Sequence, residues 1–455
     1  MRKPLNRLTY KIYSGILYDR KKGALMENQE KVKQGKKFNY TYIIIGVCTL
    51  IICIGLGFCS STKGVFFPYI IEYTGLPRGP YAISDSFRYI TTAVVNLFFG
   101  TLVLKFGVKK LMAAGFVALV ASMVLYGASS TLVGFYFAGI LLGLGLAWTT
   151  TTMIGYIINK WVSKNRGTIM GVILASNGLG GAIAVNVFMP ALESAPDGYK
   201  MVHFIIAGIV AVIGIIAVIF IKDKEAEENT TPSKKQKGDD WVGIDSKVAF
   251  KKAYFWLAMV GIFMTGVVIQ GISGISIAHV KQTGVAPSLI AGITTFSMVC
   301  LTCTKFLTGF MYDKKGLRFT ITINYACSFL SMITLVFVGP STLGMGMYIA
   351  NVILGNIALP LETIMLPIYA ADLFGKKDYA KMLGLCVSVN TAGYALGAPV
   401  MGFVFDAFGS YMPAFLIGAV LIFLTAVTME FVITSANKEK RRIEQELEKQ
   451  EQLSA

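Results

Sequence analysis

Long apolar runs, separated by short stretches rich in glycine, proline and charge, alternate along the whole chain. A helix needs about 20 mainly apolar residues to cross a bilayer, and twelve of the runs approach or exceed that length. They lie near residues 41–67, 82–104, 111–128, 132–159, 167–190, 203–221, 254–280, 287–311, 319–338, 343–370, 382–405 and 411–434. The pattern predicts an all-α membrane protein with twelve transmembrane helices, six on each side of a polar segment at 222–250.

The two sets of six helices resemble each other in sequence. Gly100 and Gly107 follow the second helix with the same spacing as Gly309 and Gly316 after the eighth, 209 positions later. Such duplication is typical of transporters built from two bundles, with the substrate site between them at mid-membrane. We therefore expect two pseudo-symmetric six-helix bundles. The expected domains are a tail at 1–39, a bundle at 40–221, a linker at 222–252, a bundle at 253–435 and a tail at 436–455.

Composition and charge support the membrane assignment and give the expected topology. Hydrophobic residues make up 55% of the 455 residues, and charged residues only 15%. The net charge is +17, but 36 of the 42 lysines and arginines lie in the tails, the linker or alternate loops. This distribution is the positive-inside pattern. It places both termini in the cytoplasm of a multi-pass plasma-membrane protein and argues against nucleic acid as a partner.

Several other functional classes lack the residues they require. The seven cysteines lie in predicted spans, and the two histidines, His203 and His279, lie far apart in sequence. No phosphate-binding loop of the G-x-x-x-x-G-K-[ST] type is present. We therefore expect no enzyme activity, no metal and no cofactor. The first 25 residues lack the apolar core of a signal peptide, and Met26 is an alternative start.

Ionisable residues inside a bilayer are costly and mark functional sites. Asp85 and Arg88 in the second span are three residues apart on one helix face, so they are expected either to pair structurally or to take part in transport. Lys63 in the first span either snorkels to the surface or faces a central cavity. We take Lys63 and Arg88 as candidate ligands of an anion, and Asp85 as a candidate proton carrier.

Two further charges lie in the second half. Lys305 in the eighth span has no acid among its helical neighbours, and a buried cation needs a partner. That partner is either an anionic substrate or Glu362 of the tenth span. Glu362 lies between Pro360 and Pro367, which weaken the helix, and it is the other candidate proton carrier.

Neutral polar and aromatic residues in the spans could complete a substrate cavity or simply bind helices to each other. The candidates for the cavity are Trp148, Tyr156, Asn177, Gln270, Asn356 and Asn390.

Three segments resemble a known family. Residues 309–318 (GFMYDKKGLR) resemble the loop motif of the major facilitator superfamily, and residues 161–171 (WVSKNRGTIMG) resemble its basic loop between the fourth and fifth helices. Residues 397–411 (GAPVMGFVFDAFGSY) resemble the monocarboxylate transporters and the oxalate/formate antiporters within that superfamily. The resemblance implies the major facilitator fold and alternating access.

The resemblance also implies roles for single residues. Lys63 lies where monocarboxylate transporters carry a substrate-linked lysine, and Lys305 lies where they carry an anion-binding arginine. Leu301 replaces the carboxylate that this family associates with proton coupling. The residues expected to control opening at the cytoplasmic contact between the bundles are Asp313, Arg318, Gly309, Gly316 and Arg166.

These observations predict a secondary active transporter of a small organic monoanion such as formate, lactate or pyruvate. It would work as an exchanger or as a proton-coupled symporter, and a monomer would suffice. Two alternatives remain, namely an exporter of drugs or bulky amphipathic anions and a substrate sensor that does not transport.

Overall fold

The computed structural model describes residues 40–162, 164–195, 197–222 and 243–454. The predicted tail at 1–39 and most of the predicted linker, 223–242, lie outside the described residues. Contacts separate a unit of residues 1–44 from a unit of residues 45–455. Residues 40–44, the described part of the first unit, are helical. The contacts discussed below belong to the second unit.

Every regular element of the described residues is a helix. The α-helices are α1 (Tyr40–Ile52), α2 (Lys63–Thr74), α3 (Arg78–Leu97), α4 (Phe99–Ala128), α5 (Leu132–Thr149), α6 (Thr151–Trp161), α7 (Arg166–Ser194), α8 (Gly198–Phe220), α9 (Ser246–Ala249), α10 (Ala253–Gln282), α11 (Pro287–Val336), α12 (Thr342–Ala358), α13 (Met365–Phe374), α14 (Tyr379–Phe408) and α15 (Met412–Ser454). A π-helix (Cys53–Ser61) follows α1, and a 3₁₀-helix (Leu359–Glu362) follows α12.

Ten stretches of the described chain are long and apolar enough to cross a membrane. Two more segments join them. Helix α3 has membrane length, but Asp85, Arg88 and several hydroxyl residues lower its hydropathy. The 50-residue helix α11 changes direction at Gly316 and so forms two membrane segments, which together make up only one of the ten stretches. The twelve predicted membrane helices are therefore present.

The internal repeat appears in the backbone as well as in the sequence. Gly107 (φ 78°, ψ 162°) interrupts α4, and Gly316 (φ 80°, ψ 177°) interrupts α11. Only glycine adopts this region of φ and ψ without strain, which explains why both copies of the motif carry glycine at the turn. Thr131 and Ser341 cap α5 and α12 in the same way, each accepting a hydrogen bond from the glycine amide three residues on.

Corresponding helices of the two halves are broken near their middles. Helix α5 ends and α6 begins at Thr150 (φ −108°, ψ −132°). In the second half, the 3₁₀-helix ends at Thr363 (φ −129°, ψ −70°), where α12 gives way to α13. Pro360 lies within this break and lacks the amide hydrogen that an α-helix would need. Inside a membrane the backbone groups at such breaks need partners, and the amides of Thr150 and Thr363 find them in the carbonyls of Leu146 (3.0 Å) and Pro360 (3.2 Å).

The last part of the segment assigned to the linker is ordered. The Ile244 amide donates to the carbonyl of Phe374 (3.0 Å), and the Ser246 amide donates to the Asp378 carboxylate (2.7 Å). These bonds fix α9 to the loop between α13 and α14. We call the end of the molecule that carries this loop the linker end.

Candidate functional site

The two halves meet at the linker end through a carboxylate on a helix N-terminus. The first amides of an α-helix have no partner within the helix, and Asn165, the residue before α7, provides no side-chain cap. Asp313 of α11 supplies it instead, accepting from the amides of Gly167 (3.0 Å) and Thr168 (2.7 Å). Gly309 packs directly on the backbone of Gly167, leaving no room for a side chain. Asp313 and Gly309 therefore hold this contact.

A second contact between the halves joins α3 to α14. The Ser388 hydroxyl donates to the carbonyl of Ala93 (2.6 Å). One turn further towards the linker end, Gly384 lies against the carbonyl of Asn96. Together with the α7–α11 contact, this packing closes the space between the halves at the linker end.

Above this closure lies a cavity of about 120 Å³ shared by both halves. Helices α3, α5 and α6 contribute Arg88, Asn96 and the break at Thr150, while the second half contributes the break at Glu362 and Thr363 and part of α14. The cavity is thus formed at the two interrupted helices. Its lining comprises Arg88, Tyr89, Thr92, Asn96, Leu146, Ala147, Thr150, Thr151, Thr152, Glu362, Thr363, Leu366, Val387, Asn390, Thr391 and Tyr394.

Arg88 enters the cavity from a cluster of charges in the first half. The Asp85 carboxylate accepts from Arg88 Nε (2.8 Å) and Nη2 (2.9 Å) and also from Lys63 Nζ (2.9 Å). The hydroxyls of Ser60 and Tyr126 complete the cluster, at 2.9 Å from Arg88 Nη1 and 2.8 Å from Lys63 Nζ. Two cations therefore share a single carboxylate, so one positive charge is not neutralised by the cluster itself.

Lys305 lies apart from that cluster, at the packing of α11 against α7. Its side chain is buried, with 4% of the residue exposed. The ammonium group donates to the carbonyl of Leu174 (3.2 Å) and to Oδ1 of Asn177 (3.3 Å), both on α7. No acid lies within ion-pair distance of Lys305 in the part of the chain that the structure describes. Its partners in this conformation are neutral oxygens of the other half.

Glu362 is also buried, at 4% exposure, but on the opposite side of the interface, among α3, α12 and α14. Its Oε1 atom has no hydrogen-bond partner. The Tyr394 hydroxyl donates to its backbone carbonyl (3.3 Å). Glu362 forms no ion pair within the described ranges, so the alternative of a resting pair between Lys305 and Glu362 is absent from this conformation.

The two aromatic candidates do not line the cavity. The Tyr156 ring packs edge-on against Phe99 (6.0 Å between centroids) and lies under the ammonium of Lys160 (4.7 Å). Trp148 has a buried indole N–H without a partner and does not border the cavity either. The prediction of an aromatic wall from these residues differs from the structure, because a shift of one residue, about 100° around the helix, decides whether a side chain of α5 or α6 faces the other half.

Only some of the neutral polar candidates lie at the cavity or beside Lys305. Asn390 lines the cavity and Asn177 contacts Lys305. Asn356 instead donates to Ser297 (2.7 Å) and lines a second cavity, of about 160 Å³, formed within the second half by α10, α11 and α12. Gln270 on α10 is half-buried and borders neither of these two cavities.

Only some of the residues expected to control opening lie at the contact between the halves. Asp313 and Gly309 lie at the contact, as described above, and Gly316 forms the turn that follows it. Arg318, in contrast, pairs with Glu430 of its own half (2.6 Å) and is largely exposed. Arg166 donates to the carbonyl of Val162 (2.6 Å), one turn before it in the same half. The position of Arg318 corrects the expectation that it joins the two halves.

Several residues of the site were not identified from sequence. Ser60 and Tyr126 bind the charge cluster, and Asn96 and Thr363 line the cavity with polar atoms that have no partner. Asn96 could have been recognised, because it lies in the second predicted span and an amide side chain that faces lipid is costly. The others are common membrane-helix residues, and only their neighbours in space distinguish them.

Two related sets of membrane helices, broken helices and a polar cavity between the halves are the architecture of membrane transporters built from two bundles. Residues 48–370 match the family model of the Major Facilitator Superfamily. The chain belongs to this superfamily and is a multi-pass membrane transporter.

Two curated relatives come from Bacillus subtilis (strain 168). The chain is 22% identical over 392 residues to the uncharacterized MFS-type transporter YcxA, covering 83% of this chain and 92% of the relative. It is 25% identical over 232 residues to Multidrug resistance protein 2, covering 50% of this chain and 56% of that protein.

Solved structures of the superfamily share the fold. The proton:xylose symporter XylE aligns with a TM-score of 0.68 at 13% identity, over 87% of this chain and 95% of that chain. FucP in the outward conformation aligns with a TM-score of 0.65 at 16% identity, over 87% and 99%. The human organic anion transporter MFSD10 aligns with a TM-score of 0.61 at 13% identity, over 85% and 99%. At these identities the likeness concerns the fold alone.

Proposed function

We propose that this transporter moves a small organic monoanion, such as formate, lactate or pyruvate, across the plasma membrane by alternating access. Both termini would lie in the cytoplasm, and the linker at 222–252 would join the bundles at 40–221 and 253–435, with tails at 1–39 and 436–455. A monomer would carry out transport, driven by a counter-anion or by protons. The buried ammonium group of Lys305, which has no acid beside it, is the observation that carries this proposal.

An unpaired buried cation is costly, because burial removes the water that stabilises its charge. One carbonyl and one amide oxygen replace only part of that hydration around Lys305. An anion that reached Lys305 would supply the missing charge. Both oxygens belong to the other half of the molecule, so separation of the halves would release the ammonium group and change its affinity for the anion.

The cluster around Asp85 supports the same class of substrate. Arg88 presents its two-pronged guanidinium to a carboxylate, the geometry in which arginine binds carboxylates best. That carboxylate belongs to Asp85 in this conformation. Protonation of Asp85 would free Arg88 and Lys63 together for a substrate carboxylate. Asp85 is therefore our candidate for proton coupling, and exchange without protons is the alternative suggested by Leu301.

The size of the cavity favours a small substrate. Sites for drug-sized ligands usually measure about 300–1,000 Å³, whereas the cavity between the halves measures about 120 Å³. The similarity to Multidrug resistance protein 2 favours the alternative of a drug or amphipathic-anion exporter. In that case bulky anions should compete for transport and small carboxylates should not.

Uptake into proteoliposomes tests the proposal. We would measure labelled formate, lactate, pyruvate and oxalate, with and without a pH step and with and without internal carboxylate. We expect saturable uptake of at least one monocarboxylate. Flux that needs internal carboxylate and ignores pH indicates exchange, whereas flux driven by the pH step indicates proton symport. Saturable binding without any flux would instead indicate a sensor.

Substitutions of Lys305 examine the proposed ligand itself. Lys305→Ala should abolish saturable uptake, and Lys305→Arg should retain part of it because the charge remains. Lys200→Ala is the control, since Lys200 lies on α8, outside both cavities, and its ammonium group donates to the Tyr73 hydroxyl (3.0 Å). Unchanged carboxylate uptake by a folded Lys305→Ala protein would contradict the assignment.

A further inference from the structure

Unpartnered polar atoms concentrate at one side of the cavity between the halves. The described residues contain ten buried side-chain nitrogen or oxygen atoms without a hydrogen-bond partner. Five of the ten belong to four residues that line this cavity: both amide atoms of Asn96, Oε1 of Glu362, Oγ1 of Thr363 and Oδ1 of Asn390. Buried polar atoms are rarely left without partners, so this concentration points to a ligand.

Each of these four residues carries an oxygen atom without a hydrogen-bond partner. Asn390 uses its amide nitrogen to donate to the carbonyl of Ile262 (3.2 Å), so its Oδ1 atom is the free end. Asn390 is 1% exposed, Asn96 is 0% exposed and Glu362 is 4% exposed. One carboxylate and three residues with neutral side-chain oxygens therefore line the same cavity, each with a buried oxygen atom that has no hydrogen-bond partner.

We propose that Glu362, Asn96, Asn390 and Thr363 form a binding site for a monovalent alkali metal cation, with Na⁺ as the expected ion. Oxygen atoms of carboxylates, amides and hydroxyls are the ligands that hard cations prefer. A single carboxylate balances a single positive charge. Divalent cations usually require more carboxylates, and no group of three or more His, Cys, Asp or Glu suited to a metal occurs in the described part of the chain.

Other ligands fit these atoms less well. An anion would meet the charge of Glu362 and the acceptor oxygen of Asn390, whose amide nitrogen already donates to Ile262. A proton would neutralise Glu362 but leave the oxygens of Asn96, Asn390 and Thr363 without partners. A bound cation would engage one oxygen atom of each of the four residues. The charged group that shares the cavity, Arg88, is held on two of its nitrogens by Asp85. The other ionisable side chains near Glu362 are the phenols of Tyr89, Tyr394 and Tyr325.

The backbone at this place has the form that ion sites in transporters use. Discontinuous membrane helices commonly provide such sites, because their interrupted turns present groups inside the membrane. Glu362 and Thr363 lie at the break between α12 and α13, and Thr150 marks the corresponding break of the first half across the cavity. The proposed site therefore lies at the break of the second half, and the corresponding break of the first half borders the same cavity.

Binding at this site would couple the cation to the conformation of the carrier. Asn96 belongs to the first half, while Glu362, Thr363 and Asn390 belong to the second. A cation held between them would favour the state closed at the linker end, since opening there separates Asn96 from the other three. This inference does not depend on the identity of the transported anion.

Thermal unfolding of the purified protein without substrate tests the inference. We would compare NaCl, LiCl, KCl and choline chloride at equal ionic strength. We expect Na⁺ to raise the unfolding midpoint saturably over choline, by about 2–5 °C. Equal midpoints in NaCl and choline chloride would overturn the proposal. So would a midpoint that rises only with acidity, because Glu362 would then bind a proton alone.

Variants locate the effect. Asn96→Leu and Thr363→Val should each raise the half-saturating Na⁺ concentration at least tenfold, and Glu362→Gln should abolish the response. Asn324→Leu is the matched control, because both amide atoms of Asn324 are also buried without partners but lie on α11, away from this cavity. A Na⁺ response that survives in Glu362→Gln and Asn96→Leu would refute the site.

Direct binding of ²²Na⁺ to the wild-type protein provides a measurement that does not depend on the folding of any variant. Saturable binding that excess unlabelled Na⁺ displaces supports the site, and its absence overturns it. Both assays omit the organic anion, so their failure would leave the carboxylate proposal standing. Failure of carboxylate uptake would likewise leave the cation site to be judged on these results.

Discussion

Removal of the Asp313 carboxylate should open the carrier at the linker end. Asp313→Ala deletes two hydrogen bonds from amides of α7, at 3.0 and 2.7 Å, and the negative charge beside that helix N-terminus. A hydrogen bond to a charged group contributes about 1.5–3 kcal/mol when well buried, and an N-cap contributes about 0.5–2 kcal/mol. Because Asp313 is only half-buried, we take about 2 kcal/mol for the whole loss.

The hydrogen bonds of Asp313 form only in the state closed at the linker end, so their loss lowers the ratio of closed to open molecules. About 2 kcal/mol corresponds to a factor of about 30 in an equilibrium constant. A closed-to-open ratio of about 100 to 1 would fall to about 3 to 1. Turnover should therefore change more than substrate affinity, since Asp313 lies at the contact between the halves and not among the residues lining the cavity.

Distances between spin labels provide the assay. Lys110 in the first half and Lys315 in the second are both exposed at the linker end, and each can be replaced by a labelled cysteine in a protein whose seven native cysteines are removed. The Asp313→Ala variant should show a second, longer distance that is scarce in the parent. Glu430→Gln is the control, because Glu430 pairs with Arg318 inside one half.

Two results would refute this reasoning. An unchanged distance distribution in Asp313→Ala would mean that the cap does not hold the halves together. A loss of substrate affinity without any change in turnover would mean that Asp313 acts on the binding site instead.

Three further changes follow from the same structure. Gly316→Ala should cost about 1–3 kcal/mol because alanine is strained at φ 80° and ψ 177°, and a lower unfolding midpoint would show it. Gly309→Ala should populate the longer spin-label distance, because its Cβ would meet the backbone of Gly167; an unchanged distribution would contradict the packing. Tyr126→Phe removes a partner of Lys63 at 2.8 Å and should alter the KM for carboxylate several-fold, while an unchanged KM would exclude Lys63 from the site.

The membrane helices were predictable because their signal is local. The composition of each apolar run shows that it lies in lipid, and the lysines and arginines of the loops indicate which side of the membrane each loop faces. The turns at Gly107 and Gly316 were also visible, since a repeated glycine marks a backbone conformation that other residues avoid. The bond between Asp85 and Arg88 belongs to the same class, because a spacing of three residues brings side chains together on any helix.

The partners of the buried charges were not predictable in this way. Lys63 bonds Tyr126, which is 63 positions away, and Lys305 bonds Asn177, which is 128 positions away. The sequence identified both lysines as costly in a bilayer but left open what would face them. Arg318 shows the converse error, because a repeated loop motif suggested a contact between halves and the arginine reached Glu430 instead.

The sequence by itself determined that the chain crosses the membrane twelve times in two related sets, because hydropathy, charge bias and glycine turns act over a few neighbouring residues. Tertiary structure decided which side chains share the cavity, since a shift of one residue along a helix rotates the side chain by about 100°, from the interface to the lipid or the bundle core. Asn96, Glu362, Thr363 and Asn390 meet only after three helices from both halves pack together. Whether their oxygen atoms have partners therefore depends on how these helices pack, and the sequence of a single helix does not determine it.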